Sequence, residues 1–106
     1  MPIYLVTYHG GPGLPSDPAA VQQMVSAFQT WGAEVGPAMR DPGAPLGPAK
    51  TVSAGSVTDG QTEATIGGYT LLETESLEEA ARLLQTHPFV GRGAALQVSE
   101  AISLGS

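Results

Sequence analysis

The stretch Ile3-Tyr4-Leu5-Val6-Thr7-Tyr8, bounded by Gly10-Gly11-Pro12-Gly13, decides how the rest of the chain is read. Its β-branched and aromatic residues predict a strand, and both alternating sets, Ile3 with Leu5 and Tyr4 with Val6 and Tyr8, are apolar. Two apolar faces predict a strand covered on each side. Immediately downstream, Ser16-Asp17-Pro18 sets a capping side chain before a proline at a first helical position. Val21, Met24, Val25, Phe28, Trp31 and Val35 then recur at helical spacing, which predicts an amphipathic helix with Phe28 and Trp31 in the core. Gly36-Pro37 ends it, because glycine accepts a left-handed cap and proline cannot continue the hydrogen-bond ladder.

Working outward, residues 36–48 are dense in Pro and Gly and predict a long loop. Residues 50–57 predict a second strand with Val52 and Ala54 on one face, and Thr58-Asp59-Gly60-Gln61 supplies turn chemistry. Gly68-Tyr69-Thr70-Leu71-Leu72-Glu73 predicts a third strand. Ser76 with Glu79 forms a capping box for a second helix, whose buried face is Leu77, Ala80, Ala81 and Leu84 and whose stop is His87-Pro88. Leu96, Val98, Ile102 and Leu104 recur at even spacing, predicting a last strand with a bend near Glu100. The order strand, helix, strand, strand, helix, strand predicts an α+β, ferredoxin-like βαββαβ subunit over residues 1–106 as one domain. Its helices would cover one sheet face and leave the other apolar and open, so two copies are expected to pair through their sheets as a homodimer.

Composition narrows the partners. At 106 residues a single domain buries roughly 60–65% of its unfolded surface. Arg40, Lys50, Arg82 and Arg92 are scattered among ten acidic residues, giving a net charge of -6. Nucleic acid and anionic membrane surfaces both need a clustered basic footprint, so neither is an expected partner. The absence of cysteine removes disulfides, thiolate nucleophiles and sulfur-based zinc patterns. The first ten residues carry no Lys or Arg, and the apolar run from Ile3 to Val6 is too short for a signal-peptide core or a membrane span, so a cytoplasmic location is expected.

Ala44-Pro45-Leu46-Gly47, Lys50-Thr51-Val52, Asp59-Gly60, Gly68-Tyr69, the run from Glu73 to Ala81 and His87-Pro88-Phe89 follow one another in an order that resembles the YCII-related family, most closely its DGPF-type branch. The resemblance runs over nearly the whole chain. It implies a dimeric α+β barrel of ferredoxin-like subunits, a fold that hosts enzymes and binding proteins alike. Some members are proposed to use a histidine on the first helix and an aspartate just before the Pro-aromatic pair. Here the first helix has no histidine, His87 stands where that aspartate would be, and Asp59-Gly60 is followed by Gln61-Thr62.

The remaining candidates come from the residues themselves. His87 closes a helix, where the macrodipole favours imidazolium; it is either an acid/base group or a helix-ending residue half in solvent. His9 ends the first strand beside a glycine-rich loop that allows close ligand approach. His9, His87 and Asp41 are the catalytic candidates, with Tyr69, Arg92 and Arg40 as ligand contacts, the arginines through bidentate pairing with a carboxylate. No metal and no cofactor is expected. The glycine loop lacks Gly-Lys-Ser/Thr, and Asp17 occupies the position an anion would need, so phosphate-loop function is not expected. Glu73, Glu75, Glu78 and Glu79 are read as carboxylates favourable to a helix start. Two functions stay open: a homodimer binding a small organic molecule in a cleft between sheet and loops, with acid/base chemistry as an option, or a non-enzymatic regulatory or structural dimerisation module.

Overall fold

In the computed structural model, which describes residues 1–11 and 13–104, β1 (Ile3–Gly10) is the strand read from the opening hexapeptide. It pairs antiparallel with β5 (Gly68–Glu73) on one side and with β6 (Ala94–Glu100) on the other. β2 (Met39–Pro45) adds to β5, giving one sheet of order β2-β5-β1-β6. β1 and β2 therefore run parallel with β5 between them, and β5 and β6 run parallel with β1 between them, the split βαβ arrangement twice over. α1 (Pro18–Val35) and α2 (Leu77–Leu84) are the crossovers. Pro12 of the glycine-rich loop lies outside the described residues.

The helix signals act as read. The Asp17 side chain accepts from the Ala19 amide at 3.3 Å with Pro18 at the first position, and Gly36, at φ 58°, closes the helix. Ser76 Oγ accepts from the Glu79 amide at 3.1 Å. The reciprocal half of the capping box is not made, because the Glu79 carboxylate turns to Arg82 instead. Between the helices and the sheet lies the core: Tyr4, Val6, Trp31, Leu72, Ala80 and Leu84. Trp31 is held from two directions, since its indole N–H donates to the Leu83 carbonyl and the Thr86 hydroxyl, both at 3.1 Å. Truncating such a ring typically costs about 3–5 kcal/mol. The rest of the predicted buried face of α2 is outside this core, Leu77 and Ala81 being exposed.

Three local readings are corrected. The second strand of the sheet is Met39–Pro45, inside the segment expected to be a loop. It is an edge strand with register shifts between Met39 and Asp41 and between Asp41 and Ala44, and edges and bulges are where strand prolines are tolerated. Residues 50–57 are not in that sheet. They belong to a separate hairpin, β3 (Lys50–Ser53) and β4 (Ser56–Asp59), turning at Ala54-Gly55, while Thr58 and Asp59, expected in a turn, are in β4. β6 stops at Glu100, and Ile102 and Leu104 lie beyond it, exposed. Even spacing had extended the strand past its last partner, as β1 offers nothing beyond Ile3 but the carbonyl that accepts from Ala101 at 2.8 Å.

The sheet face turned away from the helices carries Ile3, Leu5, Tyr69 and Leu71 at its middle, with Leu5 38% exposed. His9, Asp41, Glu73 and Gln97 share that face by register.

Candidate functional site

On the helix face, strand alternation sets Tyr8 in line with Tyr4 and Val6. α2 ends at Leu84, and the chain turns so that the His87 amide donates to the Leu84 carbonyl at 3.1 Å. This carries His87 under the sheet, where it is only 2% exposed, rather than out into solvent. Its ring lies against Trp31 (centroids 4.5 Å), Phe89 (5.0 Å), Tyr8 (5.1 Å) and Phe28 (5.5 Å). Burial pushes its pKa down to about 4, overriding the helix-terminus preference for imidazolium.

The hydrogen bonds around His87 have one consistent direction. Nδ1 accepts from the Phe89 amide at 3.0 Å, so the proton of the neutral ring is on Nε2. Nε2–H donates to the Tyr8 hydroxyl at 3.0 Å. Tyr8 in turn donates to Thr70 Oγ1 at 2.5 Å, and Thr70, fully buried, donates to the Pro42 carbonyl at 3.0 Å. Burial raises the Tyr8 pKa, and the bond with Thr70 partly offsets that. The chain of bonds thus ties α2, β1, β5 and β2 together and commits the phenolic proton to Thr70.

Pro42 is held in place by its neighbours. Asp41 Oδ1 accepts from the Gly43 amide at 2.8 Å, closing a turn around Pro42 within the edge strand. Gly43 has φ 70°, and a Cβ there would stand 1.8 Å from the Tyr69 carbonyl oxygen, so this close approach of β2 to β5 requires glycine.

Beside Tyr8 opens a cavity of about 270 Å³. Its wall is aromatic and aliphatic: Tyr8, Leu14, Met24, Val25, Phe28 and Phe89. Gly10 and Gly11 of the loop after β1 and residues Pro42 to Pro45 of β2 complete it, with Tyr69 at its border and, among the described residues, Arg92 as its one charged lining residue. Phe28, expected in the core, is half-buried: it packs against the core and also lines this space.

The candidates from sequence fall in different places. Arg92 and Tyr69 border the cavity, and His87 lies behind Tyr8. His9 projects from the other sheet face, where Nδ1–H donates to the Thr65 carbonyl at 2.8 Å and Nε2 meets the Thr7 hydroxyl at 2.7 Å. It shares no partner with His87. Arg40 pairs with Glu73 at 3.6 Å, away from the cavity, and Asp41 is engaged in its turn. Among the described residues no three His, Asp or Glu side chains converge as metal ligands, and no helix is long and apolar enough to cross a membrane. Sequence reasoning missed Tyr8, Thr70 and Phe89. Tyr8 had a usable signal, since period two puts it with the core residues Tyr4 and Val6 at the loop end of β1.

No family model matches the chain, and no curated protein matches its sequence. Seven chains of solved structures match it. One is the 5-chloro-2-hydroxyhydroquinone dehydrochlorinase from Burkholderia phenoliruptrix in complex with 2,5-dihydroxybenzoquinone, which superposes with a TM-score of 0.54 at 18% identity and covers 94% of this chain and 93% of its own. Such a likeness establishes the fold: the chain is an α+β protein of ferredoxin-like topology.

Proposed function

We propose that this chain, read as one domain, binds a small, flat, largely apolar organic molecule of single-ring size in the cavity beside Tyr8, and does so as a homodimer. The observation that carries the reading is the cavity itself. Its volume of about 270 Å³ is just under the ~300 Å³ at which pockets for larger ligands begin, and Tyr8, Phe28 and Phe89 offer it ring faces and edges. The dehydrochlorinase of similar fold is described in complex with a one-ring benzoquinone, which supports the size class.

Binding is favoured over acid/base catalysis by the two histidines. Both nitrogens of His87 are engaged within the chain, and His9 hydrogen-bonds on the opposite face. The homodimer rests on the open sheet face, where Leu5, Tyr69 and Leu71 would leave apolar area in water unless a second sheet covered it. This is also the assembly that the resemblance to the YCII-related family implies.

A thermal-shift screen of single-ring compounds against the wild type and Val25→Trp tests the binding reading. Val25 lines the cavity yet is 44% exposed, so the larger ring fills the space without disturbing the core. Hits that stabilise the wild type and fail on the variant are expected. A library without hits, or hits indifferent to Val25→Trp, would overturn the proposal. Sedimentation addresses the dimer separately: a monomer at micromolar concentration would remove it.

A further inference from the structure

We infer that the cavity selects anionic ring compounds, a carboxylate or a phenolate on a single flat ring, over neutral and cationic ones of the same shape. This deepens the ring-binding reading and rests on it. The chain carries ten acidic and four basic residues, yet no Asp or Glu lines the cavity among the described residues, whereas Arg92 does. Chance placement in so acidic a chain would favour the opposite sign.

Arg92 is also the one basic side chain among the described residues without an ion-pair partner. Arg40 pairs with Glu73, Lys50 with Asp59 and Arg82 with Glu79. Its guanidinium keeps its five donors for a ligand, and its geometry suits two oxygens of one carboxylate. Of the two tyrosines at the cavity, Tyr8 has its proton committed to Thr70 and Tyr69 belongs by register to the opposite sheet face. A ring seated against Phe28, Phe89 and Tyr8 with its charged substituent toward the turn Val90–Arg92 satisfies both parts of the cavity. A cationic ring would find the same aromatic faces but meet Arg92 as a like charge.

The test is binding of benzoate, benzamide and benzylammonium by ligand-observed NMR at pH 7 and low salt, with the wild type, Arg92→Gln and Arg92→Lys. Benzoate is expected to bind about tenfold more tightly than benzamide, in keeping with a charge-assisted hydrogen bond, and benzylammonium most weakly. In Arg92→Gln that advantage is expected to vanish with benzamide unaffected; Arg92→Lys should keep part of it. Equal binding of benzoate and benzamide to the wild type, or a benzoate preference that survives Arg92→Gln, would overturn the charge inference while leaving ring binding intact. Failure of all three probes to bind would overturn both.

Discussion

Lowering the pH from 7 to 5 should destabilise this protein through one side chain. His87 is neutral in the fold with a pKa of about 4, whereas in the unfolded chain it returns to about 6.5. The unfolded state therefore binds more protons throughout that window, and stability falls as pH falls. The contribution is complete above pH 6.5 and is progressively lost down to about pH 4. The full difference corresponds to about 3 kcal/mol, of which about 2 kcal/mol is lost between pH 7 and pH 5. Among the rings packed on His87, only Tyr8 titrates, and burial raises its pKa further from this range. The Glu79 carboxyl, held below its usual range by Arg82, titrates at lower pH. Urea unfolding at pH 7 and pH 5 reads the free energy directly, and an NMR titration of the imidazoles assigns it to His87. Stability unchanged within about 0.5 kcal/mol, or a native His87 that titrates near 6.5, would refute the reasoning.

Two substitutions probe the same frame. Tyr8→Phe leaves the His87 Nε2–H without an acceptor in an aromatic enclosure, and calorimetry should show a loss of about 2–3 kcal/mol; a loss under about 0.5 kcal/mol would mean that the relay contributes nothing. Gly43→Ala combines left-handed strain of about 1–2 kcal/mol with a backbone collision at the Tyr69 carbonyl, so urea unfolding should show at least about 3 kcal/mol lost, and a value near 1 would indicate that β2 can move off β5 freely.

Where sequence and structure part company, the reason is physical. β1, α1, β5 and α2 were legible because periodicity and caps agreed: Asp17-Pro18 starts α1, Gly36 ends it, and Ser76 starts α2. β2 was not, since Pro42, Gly43 and Pro45 are loop residues by propensity and form a strand only because β5 presents an edge that tolerates missing donors. Residues 50–57 had the better strand composition, and they do form strands, but as a hairpin pairing with itself. The site was half legible. Arg92 and Tyr69 border the cavity, while the burial of His87 depends on the turn after Leu84 and on the rings of Tyr8, Phe28 and Trp31, distant in sequence, which no local pattern encodes.

Amide chemical-shift mapping of the protein with benzoate locates ring binding directly. Shifts are expected to concentrate at Gly10, Gly11, Gly43, Phe89 and Ala94 around the cavity, with the hairpin Lys50–Asp59 silent. Saturable shifts centred on the hairpin or on the open sheet face, or none at all, would contradict ring binding in the cavity.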